Sequence, residues 1–226
     1  MLNISKSKNV DLIFQNRTDA GESLAKILKN DYIKNSIVVA LPRGGIPVAI
    51  PIIRLLKATL DLLVSKKIGA PENPELAIAA VTSEGDYVIS PFIVNELDDD
   101  LEKYIQKNIT DLIESGKKRE IDYRKNFKSI LSSHDYTGRN IILVDDGVAM
   151  GMTALAAIKT IKKHSPASII FASPVISQEA YIEISKIVNK VVALKIPKDF
   201  QSVGAHYRDF SPVTEQEIAV ILKNDE

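Results

Sequence analysis

The chain has 226 residues, 45% of them hydrophobic, enough for the core of one α/β domain with room for an inserted subdomain. Lys and Arg total 29, as do Asp and Glu, so the formal charge is zero and no global basic field exists to drive nucleic-acid binding. Cysteine is absent and only three histidines occur, which excludes disulfides and Cys-ligated metal sites and argues against a His-rich metal centre.

Taken in chain order, MLNISKSKNV lacks the apolar core of a signal peptide, and no apolar run reaches membrane-spanning length, so a cytoplasmic protein is expected. A first helix is predicted over 20–30, with Asp19 either its N-cap or, like Arg17 and Gly21, a neighbour of a site. Strands follow at SIVVAL (36–41) and DLLVS (61–65), separated by a helix over 45–57. The stretch from ELDDD at 96 to about 132 is charged and helix-forming, a helical insertion of one or two helices in which Tyr123 and Arg124 either border the site or brace the insertion against the core. Beyond it come the strands NIILVD (140–145), SIIFASP (168–174) and KVVALKI (190–196), with helices over 153–164 and 177–189 and a last helix opened by the capping box Thr214–Glu217. Short, continuously apolar strands alternating with amphipathic segments predict an α/β fold, a parallel sheet flanked by helices.

Three loops carry residues of chemical interest. LPRGGIPVA (41–49) follows a strand and opens a helix. Its Gly44 and Gly45 either let backbone amides face an anion beside Arg43 or only supply unusual φ angles in a tight turn. SKKIGAPENPELA (65–77) begins with Lys66 and Lys67 and is too rich in proline for a helix. It reads as a lid that closes over a polyanion or as an exposed loop with two solvated lysines. VDDGVAMGMT (144–153) sets Asp145 and Asp146 at the carboxyl end of a buried strand, where open α/β sheets bind ligands. Adjacent carboxylates repel, and a ribose diol offers two donors that would compensate them; a capped turn is the plainer alternative. Gly151, Thr153 and the following helix N-terminus then suit a phosphate.

VDDGVAMGMT resembles the 5-phosphoribosyl-1-pyrophosphate (PRPP) motif of type I phosphoribosyltransferases. FQNRTDAGESLA (14–25), ALPRGGIPVA, KKIGAPENPELAIAA, KREIDYR (118–124) and DFQSVGAHYRDF (199–210) extend the resemblance over nearly the whole chain, to the branch with LPRGG, NPE and VDDG motifs. The resemblance implies one phosphoribosyltransferase-like domain with a small hood for the acceptor. It implies that Asp145 and Asp146 bind the ribose hydroxyls, with Gly147 and Val148 leading into a cup formed by Ala149, Met150, Gly151, Met152 and Thr153 around the 5′-phosphate. By the same comparison, Arg43, Gly44 and Gly45 grip pyrophosphate, often through a non-proline cis peptide, and Lys66 and Lys67 open a mobile catalytic loop, Lys67 acting in catalysis. Mg²⁺ bound mainly through PRPP, an unidentified acceptor and a homodimer are implied as well, with His206 and Tyr207 either near the acceptor or packing residues.

The chain departs from the motif at Met150, where relatives carry Thr or Ser. The lost hydroxyl corresponds to about 1.5–3 kcal/mol for a hydrogen bond to a charged group. Two functions are therefore expected as alternatives: a Mg²⁺-dependent phosphoribosyltransferase, or a non-catalytic PRPP or nucleotide sensor.

Overall fold

The computed structural model describes residues 13–30, 36–91, 93, 94 and 97–223; the N-terminal segment read above for a leader lies outside them. The strands are β1 (Ile37–Ala40), β2 (Thr59–Leu62), β3 (Ser65–Gly69), β4 (Ala77–Thr82), β5 (Tyr87–Ile89), β6 (Asn140–Val144), β7 (Ser168–Val175) and β8 (Lys190–Lys195). The helices are α1 (Arg17–Leu28), α2 (Gly45–Leu56), α3 (Asp99–Asn126), α4 (Met152–Lys163), α5 (Gln178–Ser185) and α6 (Glu215–Lys223). Among the described residues, no helix is long and apolar enough to cross a membrane.

The core is a five-stranded, all-parallel sheet in the order β2-β1-β6-β7-β8. Its strands read as continuous apolar runs because both faces are covered. Val38, Ala40, Ile142 and Val144 face α1, α2 and α6, while Ile37, Val39, Ile141 and Leu143 face α4 and α5. The period of two within each strand thus sorts one run between two helical layers. The α/β architecture expected from the sequence is the one found.

A second, antiparallel sheet in the order β3-β4-β5 stands at the carboxyl edge of the first. Ile68, Ala79 and Val81 pack with Ile105 and Ile109 of α3, whereas Ala77 and Ala80 pack with Met152 and Ala156 of α4. Helix α4 is therefore clamped between the two sheets. Polar contacts add to the clamp: Thr160 of α4 donates to the buried carboxylate of Asp86 at 3.1 Å, and Lys163 pairs with that carboxylate at 2.5 Å.

The structure corrects two local expectations, the strand DLLVS and the Asp19 cap, and narrows a third, the one or two helices of the insertion. DLLVS is not one strand, because the chain leaves the parallel sheet after Leu62 and Ser65 opens β3. A continuous apolar run does not reveal where it bends between sheets. The insertion holds a single 28-residue helix, α3, capped by the Asp98 carboxylate, which accepts from Leu101 N at 2.8 Å. Asp19 is not the first cap: Asn16 accepts from Asp19 N at 3.0 Å, and the Asp19 carboxylate reaches back to Gln15 N at 2.9 Å. Asp19 is the helical partner in that reciprocal cap. At the other end of the chain, the Thr214–Glu217 box forms as expected, with Thr214 N donating to Glu217 at 2.7 Å and Glu217 N to Thr214 Oγ1 at 3.2 Å.

Candidate active site

In the core sheet the strand order reverses between β1 and β6, which creates a crevice beyond their carboxyl ends, the place where such sheets bind ligands. The loop after β1 carries Arg43, Gly44 and Gly45, and the loop after β6 carries Asp145 and Asp146. Leu41 N donates to Val144 O at 3.0 Å, so the two strand ends remain paired up to the point where the loops diverge. The Pro42–Arg43 peptide is cis. Gly44 lies so close to Asp146 that a Cβ there would overlap its carboxylate, and Gly45 begins α2. The Arg43 side chain is exposed on the rim.

The two aspartates have different surroundings. Asp145 accepts a hydrogen bond from Asp146 N at 2.9 Å; burial, and then the neighbouring Asp146 charge, push its carboxyl well above the usual carboxylate range. Asp146 is paired with Arg17, whose Nε donates to Oδ2 at 2.6 Å. The guanidinium also donates to Ser211 O at 2.9 Å and lies 3.9 Å above the Phe210 ring. Tyr207, stacked on Phe210, donates its hydroxyl to Asp146 O at 2.5 Å. The segment after β8 thus fixes the second aspartate from above, and Gly147 lies beneath Val203 of the same segment. His206 is buried against Phe200, and burial, with the Lys195 charge, holds its imidazole below its ordinary range.

Beyond the aspartates the chain forms a strapped turn. Val148 N donates to Val175 O at 2.9 Å, Ser177 N to Val148 O at 2.9 Å, and Ser177 Oγ to Ala149 O at 2.5 Å. Gly151 then takes φ 76°, a left-handed conformation natural to glycine, and caps α4 with no side-chain hydrogen bond. The first amides of α4 lack intrahelical acceptors, and they and the positive end of the helix lie at the end of the loop that follows the aspartates. Met150 is 37% exposed, but Met152 is 4% exposed and belongs to the packing against β4. Thr153 is half-buried, and its carbonyl accepts from Ser65 Oγ at 3.0 Å, joining the cup to β3.

Lys66 and Lys67 lie on β3 itself, where successive side chains point to opposite faces. Lys66 reaches Ser115 Oγ of α3 at 2.8 Å; its ammonium is held below its ordinary range by burial and then by Arg119. Lys67 is exposed and pairs with Glu75 of the following turn at 2.9 Å. The structure therefore brings together Arg43, Gly44, Asp145, Asp146 and the 147–153 turn, directs Lys66 toward α3, and leaves Lys67 on β3, paired with the turn that follows.

Arg119 was not singled out from the sequence. It faces a cleft of about 800 Å³ between α3 and α6, together with Ser115, Tyr123 and Glu215. A smaller pocket, about 410 Å³, adjoins Arg17 between α1 and α6. Arg119 is one of several charges on α3, and the signal that could have found it is the polar series Ser115, Arg119, Tyr123 at i, i+4 spacing on one face of the helix.

The sequence profile of the phosphoribosyl transferase domain matches residues 10–209. Two Mycobacterium tuberculosis proteins, named "Putative phosphoribosyl transferase" Rv0571c and MT0597, are each 33% identical over 211 residues, 93% of this chain and 46% of theirs. The chain thus spans about half the length of the curated relatives it matches. The crystal structure of TT1426 from Thermus thermophilus is 35% identical, covers 94% of this chain and 98% of its own, and superposes with a TM-score of 0.76. With a profile match over most of its length and an aspartate pair, glycine turn and open helix end meeting at one crevice, the chain belongs to the phosphoribosyl transferase domain family.

Proposed function

We propose that the crevice between β1 and β6 binds PRPP and transfers its 5-phosphoribosyl group to a nitrogenous base or other small nucleophile, releasing pyrophosphate. The observation that carries this reading is the direct contact of the Gly44 turn with Asp146, which sets a candidate diphosphate grip against a candidate ribose grip. Asp145 and Asp146 would accept from the ribose hydroxyls, and the α4 amides from Met152 onward would donate to the 5′-phosphate.

The chemistry follows from charge. The bond from ribose C1 to the diphosphate oxygen breaks as the bond from C1 to the acceptor nucleophile forms, and the diphosphate leaves with the bonding electron pair. Positive charge grows on the ring and negative charge on the leaving group. The aspartates stand on the first side and Arg43 on the second, an arrangement that stabilises the separated charge. Acceptance of ribose hydroxyls also compensates the costly Asp145 carboxylate.

Among the described residues no group of three or more His, Cys, Asp or Glu side chains is placed to hold a metal. On this reading a Mg²⁺ would be carried on the diphosphate oxygens and water, and Asp145 and Asp146 are the carboxylates that the crevice offers it. When bound, such an ion would neutralise charge on the leaving group.

The second reading is a PRPP or nucleotide sensor without turnover. It is supported by Met150, whose side chain brings no hydroxyl to the rim of the cup. Diphosphate release from Mg²⁺–PRPP with a panel of bases separates the two: release with any base supports the enzyme. PRPP-dependent stabilisation without release for any base supports the sensor.

A further inference from the structure

Lys66 of β3 and Lys118 and Arg119 of α3 gather beside one another. Ser65 donates to the carbonyl of Thr153 in the cup, and the next residue, Lys66, donates to Ser115 of α3. One helical turn beyond Ser115 stands Arg119, and one turn further Tyr123, all lining the cleft of about 800 Å³ between α3 and α6. Arg119 and the Arg43 turn both lie close enough to Tyr123 to act on its phenol. Two carboxylates line the cleft, Asp122 of α3 and Glu215 of α6; Glu215 Oε1 is 3.6 Å from Arg119 Nε and its Oε2 accepts from Tyr123 at 2.7 Å.

A 3.6 Å contact between side chains 35% and 49% exposed is a weak pair. It costs little to break, and Tyr123 retains Glu215 when Arg119 moves. Lys118, Arg119 and Lys223 line the cleft against Asp122 and Glu215, and Lys66 stands at its edge on Ser115, so positive charge is in excess there and a polyanion relieves both that excess and the desolvation of Lys66. The cleft is also roomy enough to accept a diphosphate with its water.

We infer that the cleft between α3 and α6 is an anion site continuous with the crevice, in which Arg119, with Lys66, receives the diphosphate end of the donor. The assignment rests on the transfer reading for the identity of the donor. Arg119 is thereby a substrate-binding residue supplied by the inserted helix, held by Glu215 until the ligand arrives.

Calorimetric titration of the full chain with Mg²⁺–PRPP, inorganic diphosphate and ribose 5-phosphate tests it, for the wild type, Arg119→Ala and Arg119→Lys. Arg119→Ala is expected to weaken PRPP and diphosphate by at least tenfold, to leave ribose 5-phosphate within twofold, and to be partly rescued by lysine. Equal losses for PRPP and ribose 5-phosphate, or unchanged diphosphate affinity, would overturn the assignment while leaving the transfer reading intact. If wild type binds diphosphate through Arg119 but neither PRPP nor ribose 5-phosphate, the anion site stands and the transfer reading falls. A thermal-unfolding midpoint for Arg119→Ala near the wild-type value shows that the loss is not one of folding; should that variant fold poorly, Glu215→Gln, which releases Arg119 without removing it, is expected to bind diphosphate at least as tightly as wild type, and a tenfold weakening there would overturn the assignment.

Discussion

Arg17 Nε and Asp146 Oδ2 are 2.6 Å apart, in a pair whose side chains are 11% and 15% exposed. The bond joins α1 to the loop after β6, across most of the sequence. Removing one partner leaves a largely desolvated charge beside Asp145. Arg17→Ala is expected to lower the free energy of unfolding by about 2–3 kcal/mol. Adding Asp146→Asn to that variant should restore at least half of the loss. Urea unfolding of both variants checks this, and a loss below about 0.5 kcal/mol for Arg17→Ala, the range of an exposed pair, would show that the bond is merely superficial.

Gly44 supports a sharper expectation. A methyl group there meets the Asp146 carboxylate, so Gly44→Ala must displace either the turn or the aspartate. A loss of about 1–3 kcal/mol in stability is expected, as for other forced overpacking. PRPP affinity should fall by more than tenfold, read by calorimetry, whereas Gly138→Ala, at an exposed turn whose φ of 65° costs stability but where a Cβ meets nothing, should leave affinity unchanged.

Asp145 sets function against stability. Its raised carboxyl pKa means that the folded chain binds a proton more tightly there than the unfolded chain does. The group's penalty is therefore absent below the unfolded value of about 4 and grows as pH rises from there toward the folded value. At pH 7–8 Asp145→Asn should raise the melting temperature of the ligand-free protein by about 2–4 °C. The gain should vanish near pH 4, and the same variant should lose stabilisation by PRPP. A variant less stable than wild type at pH 8 would contradict the assigned environment.

Away from the crevice, His134 links the two layers. Its Nδ1 lies 2.9 Å from Asp61 Oδ2 and its Nε2 3.0 Å from Glu120 Oε2, with Glu84 at 3.9 Å, and Arg124 and Tyr136 also bonded to Asp61. Burial pushes the imidazole down, but the hydrogen bonds and charges of Asp61 and Glu120 outweigh it and raise the pKa to about 9. The contribution is fully present below about pH 6.5, the unfolded value, and is lost as pH rises through about 9. Wild type should lose on the order of 2–3 kcal/mol across that window beyond whatever His134→Gln loses. Parallel stability profiles for the two proteins would refute the charged histidine.

Much of this architecture was legible because four of the five core strands are built on continuous apolar runs, and a run such as IVVA has no stable placement except between two helical layers. The aspartate pair was legible for the opposite reason, since two adjacent charges ending such a run demand compensation. The small sheet was not. Its central strand, AIAAVT, is rich in alanine, a weak strand former, and becomes a strand only because α3 and α4 bury it from both sides. Arg17 and Arg119 were hard to place because each works through contacts spanning about a hundred residues or more, to Asp146 and to Glu215, which no local period encodes. Arg124 was named from the sequence as a brace or a site residue; its pair with the buried Asp61 at 2.7 Å makes it a brace.

On the proposed reading, the crevice between β1 and β6 holds a phosphoribosyl donor through its two aspartates and the α4 amides. Thermal unfolding with Mg²⁺ and millimolar PRPP or ribose 5-phosphate is the decisive measurement. Binding with a dissociation constant about a hundred times below the ligand concentration corresponds to about 2.7 kcal/mol, several degrees in midpoint for a chain of this size. That rise is expected for wild type with PRPP, a smaller one with ribose 5-phosphate, and neither for Asp145→Asn. An unchanged wild-type midpoint with both ligands at millimolar concentration would rule the donor site out.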